Sequence, residues 1–538
     1  MIKKVSISAI AALAFAAFFF WLTCAPINYK SPEFWTLFIF TVGVFCFVYL
    51  LFSIFGRKKV IVIEPKKRVG KAFRNVAIII VGLFLLLFIG GISGAEIFNA
   101  KHYRDQLTMK DSDFSTDIKE ISFSQIPIAD KDTAQRLANR QVGSVVDLVS
   151  QFNLSNKFSV INYENKPYRV TPLEYADIFK WLSNSSKGIP YYIKVNLATQ
   201  EANIVKLDKP MKYGMSDKFN RYVVRKARLS YPTKLFDEVN FEIDDSGHPF
   251  WVFSVIDYKI GLYGGPDAVG VVLVDAVTGD TSYYDISKVP QWIDRAYGTN
   301  LILKQINNNG KYKHGFWNSK FGQKDVLQTT DGYNYLSINN NIWLYTGLTS
   351  VVSDESNIGF TLVNLRTKES RFYAINGAEE YSAMASAEGK VQEKRYTATF
   401  PLLINVDNYP TYFLSLKDSA GLVKMYAFIN VENYQVVGVA ESIDEAKEQY
   451  VRQLSGEGLK PTGDDKTVEG AISFVSSAVK DGNSYYYVKL DGNDTVYTAS
   501  IQVSDLLPVL QTGNKVKISY RETGGKTASI SKIELVQG

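Results

Sequence analysis

The chain has three histidines, His102, His248 and His314, and two cysteines, Cys24 and Cys46. No histidine has a second His or a Cys at ligand spacing, which a zinc site requires. Both cysteines fall in apolar N-terminal sequence, so beyond residue 98 there is neither a thiol nucleophile nor a disulfide. A large cysteine-free region fits a bacterial envelope, particularly a Gram-positive one, better than a eukaryotic secretory route. A Ser–His–Asp triad needs no sequence proximity, so counting leaves it open. However, the sequence has no G-x-S-x-G elbow, Walker motif or dinucleotide fingerprint. Gly261-Leu262-Tyr263-Gly264-Gly265 runs into a strand-like stretch and reads as a hairpin connection. Asp354-Glu355 and Glu379-Glu380 offer carboxylates for a cation or for proton transfer. The first pair reads as a turn, and the second opens a helix, where acids suit the positive dipole end. Asp237-Glu238 and Asp244-Asp245 also read as turns. The expectation is a non-enzyme with no catalytic residue, metal or cofactor.

The aromatic segment Lys311–Asp325 has neither a clean helix nor a clean strand period. Its Tyr312, Phe316, Trp317 and Phe321, with Trp251 upstream, are candidate interface residues. The alternative is that these rings fill the joint between two folding units.

Whatever these residues do, the N-terminus fixes where they do it. Three apolar runs, Val5–Cys24, Phe34–Phe55 and Val76–Phe98, each have the roughly 20 residues that a helix needs to cross a bilayer. Leu22-Thr23-Cys24-Ala25 fits neither an A-x-A cleavage site nor a lipobox, so the first run reads as a retained helix. Residues 1–98 carry 11 Lys/Arg against 3 Asp/Glu, and the remaining residues carry 49 against 51. The excess sits in the second loop, at Arg57, Lys58, Lys59, Lys66, Lys67, Arg68, Lys71 and Arg74. Basic loops stay inside, which predicts a multi-pass protein of the cell membrane with a cytoplasmic N-terminus and residues 99–538 extracytoplasmic. The bilayer is the first expected partner. Gly90 and Gly94 form a GxxxG pair, a close-packing face through which the third helix is expected to form a homo-oligomer.

Beyond the anchor a pattern recurs. Val195-Asn196-Leu197-Ala198-Thr199, Val274-Asp275-Ala276-Val277-Thr278, Val363-Asn364-Leu365-Arg366-Thr367 and Ile429-Asn430-Val431-Glu432-Asn433 each join two alternating runs, as a β-hairpin does. A second hairpin precedes each, turning at 162–167, 244–249, 339–341 and 407–410. Helical stretches at 133–152, 217–231 and 378–393 precede three of them. The unit is a helix followed by two hairpins, an α+β arrangement of a helix on a four-stranded antiparallel sheet.

Pro249-Phe250-Trp251-Val252 followed by Val274-Asp275-Ala276-Val277-Thr278-Gly279 resembles the PepSY domain, whose second hairpin ends in a similar turn. The match is good over 217–286, fair over 378–442 and poor in the other two copies, which lack the glycine. The whole chain resembles membrane-anchored proteins of Gram-positive bacteria. The resemblance implies an extracytoplasmic binding or peptidase-restraining module, with envelope proteins or peptidases as partners.

Residues 455–465, rich in Gly and Pro, read as a linker. Five strand-like runs follow, with a helical piece at 504–510 between the third and fourth, and together they resemble an OB-fold barrel. Tyr485, Tyr486 and Tyr487 are possible stacking platforms, but 8 basic against 7 acidic residues give no positive groove, so no nucleic acid is expected. The expected domains are an anchor (1–98), four α+β units (99–210, 211–306, 307–376 with a degenerate sheet, and 377–454), the linker and a small β-barrel (466–538). Non-catalytic interaction or scaffolding is the expected function, with peptidase restraint as the alternative.

Overall fold

The computed structural model describes the chain except residues 1, 55–73, 75–76, 79–80, 83, 86, 119–125, 352, 457–465, 481–482, 525–526 and 537–538. Two helices, Ile2–Thr23 and Pro32–Ile54, are long and apolar enough to cross a membrane. The third run is described only in part, and residues 87–93 of it are helical before a turn at Gly94. Of the basic loop residues only Arg74 is among the described ones. The linker at 457–465 is likewise outside them.

Four sheets follow, of five, four, seven and five strands where four each were expected, antiparallel but for one pair at the edge of the third, and each contains the repeated turn. In the second, Leu235–Ile243, Pro249–Ile260, Gly264–Asp275 and Thr281–Asp285 form a simple meander, with the helix Val223–Ser230 against it. The signature residue caps its own turn: the Asp275 carboxylate accepts from the Val277 and Thr278 N–H groups. Asn196 and Asn364 do the same for Ala198 and Thr199, and for Arg366 and Thr367, while Asn430 accepts from Asn433. Gly279 sits at φ 78°, and its counterparts Gln200 and Lys368 hold φ 60° and 65° without being glycine. The two copies that lack the sequence glycine therefore keep the left-handed turn, at some cost in backbone strain.

A second shared bond makes the repeat fourfold. The residue after each cap donates its N–H to the strand of the preceding hairpin: Leu197 to Pro167, Ala276 to Pro249, Leu365 to Ile342 and Val431 to Pro410. Its carbonyl in turn accepts from the segment leading into that unit's helix, from Ala129, Tyr213, Tyr297 and Ala378 respectively. By this criterion the third unit has a helix as well, Thr299–Lys311, which lies beside the strand Leu327–Thr329.

The units are not separate beads. One apolar core runs from Leu107 to Leu365 through the first three sheets, and a second joins the third sheet to the fourth. The strand Lys110–Asp111, just beyond the anchor, pairs in parallel with Ser370–Tyr373 at the edge of the third sheet. The C-terminal strands close a five-stranded barrel in which the third and fifth pair in parallel, and 3-10 turns at Ile501–Val503 and Leu507–Val509 occupy the gap between the third and fourth.

The N-terminal apolar segments are clamped to the second unit. Arg225 donates to the Trp21 carbonyl and Arg228 to the Cys24 carbonyl, each at 2.9 Å, so two cations sit on the negative end of the first helix. The Lys30 amine reaches Asp257 at 2.8 Å, and the Ile27 N–H reaches the Pro232 carbonyl. Gly90 and Gly94 face the hairpin tip of this unit: a methyl on Gly94 would lie 3.0 Å from the Gly264 nitrogen, and one on Gly90 would lie 2.6 Å from Leu262. The GxxxG face expected to meet another helix meets a hairpin of its own chain, because Gly261 and Gly264 let that backbone come up against Ser93 and Gly94.

Candidate functional site

A cleft of about 480 Å³ opens where the four units meet. The first unit supplies Asp130, Lys157, Phe158 and Arg169, and the second supplies Glu238 and Asn240. Arg295, Thr299, Tyr333 and Tyr335 come from the third, and Phe400 from the fourth. Each arrives through the repeat geometry: Arg169 lies on the strand Lys166–Tyr175, and Arg295 just precedes the helix Thr299–Lys311.

The polar groups fall into a satisfied set and an unsatisfied one. Arg295 donates to Glu238 at 2.7 Å and to the Thr299 hydroxyl at 2.6 Å, and its guanidinium lies 4.9 Å from the Tyr335 ring centre. Glu238 also caps Thr299 through its N–H at 2.9 Å. Asp130 caps the helix Lys131–Gly143 and accepts from Lys417 at 2.5 Å, so it and Glu238 are neutralised, while a third carboxylate, the exposed Asp132, stands at the cleft rim. Arg169 is different. It donates to the Phe158 carbonyl at 3.3 Å, its Nε has no partner, and among the described residues no carboxylate pairs with it. Burial pushes its pKa down and the Arg295 charge adds to the effect, while Tyr335 and the Asp130 carboxylate oppose it without reversing it. Arg295 Nε and Asn240 Nδ2 are also unpartnered. All three orphans on this wall are donors, each costing about 1–3 kcal/mol while unmet. Arg169, Asn240 and Arg295 thus line the cleft beside Phe158, Tyr333, Tyr335 and Phe400, with their unmet atoms themselves closed off from solvent. Chemically that arrangement suits an anionic group carried on an apolar or ring-bearing body.

Behind the wall lies an acid pair. Glu242 and Asp294 are buried, and the Asp294 N–H donates to Glu242 at 2.9 Å. Burial, outweighing the Asp294 bond and the Arg295 charge, pushes the Glu242 pKa up to about 7. Burial and the Glu242 charge push Asp294 up as well. A carboxyl raised on folding stabilises the fold fully below its unfolded value near 4.5 and loses that contribution as pH rises through its folded value. Unfolding free energy is thus expected to fall by about 1 kcal/mol per pH unit between roughly pH 5 and 7 on this account. Urea titrations at several pH values should show that Glu242→Gln removes this part of the slope. An unchanged slope would show that the proton is not held here.

The candidate interface residues divide. Trp251 is 1% exposed, and Tyr312 is fully buried, donating its hydroxyl to Glu96 beside the Lys311–Glu96 ion pair. Neither presents a surface to a partner. Phe316 is half-buried against Tyr312, while Trp317 and Phe321 are exposed and stacked at 5.9 Å. His248 pairs with Asp275 at 2.9 Å and His314 with Asp325 at 3.0 Å, each a local turn contact. Among the described residues no cluster of three or more His, Cys, Asp or Glu is placed to hold a metal. Glu380 is fully buried where the third and fourth units meet, accepting from Tyr345 and from Asn357, both at 3.1 Å.

The cleft residues carried no motif. Their signal is a charge embedded in an apolar alternation, as Arg169 is in PYRVTPL and Asp294-Arg295 is in WIDRAY. No family model matches the chain, and no curated protein matches it. Among solved structures, the levansucrase of Bacillus subtilis aligns at 10% identity over 82% of this chain and 94% of that one, with a TM-score of 0.16, which is too low to carry any argument about fold or activity.

Proposed function

We propose that the chain is a membrane-tethered, non-catalytic binding and scaffold protein of the bacterial envelope, with its four-unit body outside the cell. The observation that carries the binding part is the cleft lined by Arg169, Asn240 and Arg295, where among the described residues no carboxylate bonds the buried Arg169 guanidinium. The excess of Lys and Arg before residue 75 supports the orientation. Three crossings are supported by the anchor contacts. The turn between the first two helices bonds to the second unit, and so does Ser93 at the end of the third run, whose hydroxyl accepts from the Leu262 N–H, which supports a return of the chain after the second helix.

The test is a thermal and urea stability screen of the detergent-solubilised chain with aromatic amino acids, short peptides with free or amidated C-termini, and inorganic phosphate. At least one anion is expected to stabilise the fold, by about 3 kcal/mol at one hundred times its dissociation constant. Arg169→Leu should abolish that gain, and the amidated peptides should give none. A panel that leaves stability unmoved, or a gain that survives Arg169→Leu, would overturn the reading.

A second reading, restraint of a secreted or membrane peptidase, draws support from the second unit. There a helix lies on a four-stranded meander in the arrangement that the PepSY resemblance implies. Slowing of an envelope peptidase by the purified chain, insensitive to Arg169→Leu, would favour it over the first.

A further inference from the structure

Two groups of exposed apolar side chains flank the anchor, and neither belongs to the cleft. The first is the short helix Ile178–Asn184, from which Phe179 and Leu182 project at 73% and 62% exposure. Phe219, 61% exposed, lies 5.9 Å from Trp181 of that helix and 6.5 Å from Trp21. The second is the loop around the short helix Gly315–Trp317, where Trp317 and Phe321, 62% and 80% exposed, stack on each other. That loop packs beside the helix Glu96–Arg104, which continues the third apolar run. Its Lys313 carbonyl accepts from Arg104.

Both groups therefore adjoin the ends of apolar helices on the side of the second unit, and one reaches the last turn of the first helix through an unbroken chain of rings. Trp and Phe at such a level are the composition of a membrane interface. Exposed cations accompany both: Lys187 and Lys218 near the first, Lys313 and Lys320 near the second. That charge complements anionic head groups. Left in water, rings this exposed would stabilise nothing, whereas burial of their apolar surface at the interface is favourable.

We propose that these two patches are feet that insert into the outer head-group layer of the bilayer, so that the extracytoplasmic body lies on the membrane rather than standing away from it. The proposal rests on the membrane-tethered reading. It uses the anchor as a third point and fixes the tilt of the cleft relative to the lipid surface.

The test uses the full chain with Cys24→Ser and Cys46→Ser, reconstituted in phosphatidylglycerol–phosphatidylcholine vesicles. An environment-sensitive fluorophore is attached at Phe179→Cys or Phe321→Cys. Leu13→Cys in the first apolar helix and Glu432→Cys on the fourth unit serve as references. At positions 179 and 321, nitroxide lipids labelled at head-group depth are expected to remove roughly half the emission, as for an interfacial side chain. Aqueous iodide should have little effect there, while position 432 should respond to iodide alone.

If 179 and 321 respond to iodide as 432 does, while 13 is quenched by mid-chain nitroxide, the feet are overturned and the tether stands. If they are shielded from both quenchers, a protein surface covers them and the proposal fails. If position 13 is untouched by lipid quenchers, the anchor reading itself falls.

Discussion

Methionine in place of Arg295 is expected to lower the unfolding free energy by about 3–5 kcal/mol, the loss seen when one partner of a buried ion pair is removed. The Arg295 side chain is 5% exposed and serves three acids: it bonds Glu238 directly, and its charge acts on Glu242 and, after that of Arg366, on Asp294. Burial alone would push its pKa down, but Tyr335, Glu238 and Glu242 reverse that and hold it up. Without it Glu238 loses its ion pair, and the acid pair behind loses one of its compensating charges, leaving Arg366 to act on Asp294. Urea unfolding of the solubilised chain would measure the effect as a shift in midpoint at constant slope. The double variant Arg295→Met/Glu238→Gln should recover part of the loss, because the stranded charge is then gone. A single-variant loss below about 1 kcal/mol would mean that water solvates this wall in the folded state.

Trp251→Ala should cost a similar amount, about 3–5 kcal/mol, for a different reason. Trp251 lies on the central strand Pro249–Ile260, with Phe241 edge-on at 5.3 Å, and donates its indole N–H to the Tyr213 carbonyl at 2.9 Å. Truncation removes the ring, opens a cavity in the largest apolar core and strands a carbonyl in the segment that leads to Val223–Ser230. Trp251→Phe keeps most of the volume and should lose about half as much. Had the ring been an interface anchor, stability would barely change and association would suffer instead. Thermal unfolding of the solubilised variants separates the two cases.

What was legible in the sequence was local chemistry. The first two apolar helices followed from length and hydropathy, because a run of that kind has one backbone solution in lipid. The Asn or Asp signature marked all four second hairpins because its side chain bonds the next N–H groups, an interaction confined to a few residues. The barrel's strands were readable for the same reason. The helix Thr299–Lys311 was not, since three asparagines and a glycine in its last turns weaken propensity, and only Leu301, Ile302 and Ile306 betray a buried stripe. The cleft was hidden for another reason. Arg169, Asn240, Arg295 and Tyr335 converge only through packing between repeats, and no local pattern encodes that. The aromatic loop was half readable. Trp317 and Phe321 are surface residues, but Tyr312, three residues before Gly315 at φ 84°, turns inward onto Glu96.

The parallel pairing of Lys110–Asp111 with Arg371–Phe372 sets an order of events. A ribosome delivers the early strand long before its mate, and two sheets are completed in the interval. The third sheet's outer border therefore stays unfinished until most of the body has been made, and closing it carries the entropic burden of a very long loop. Chains interrupted in the region of residue 370 would carry an unpaired edge on the third sheet, open to pairing with a neighbour's strand. Quality-control proteases would meet this protein most often at that late moment of its assembly.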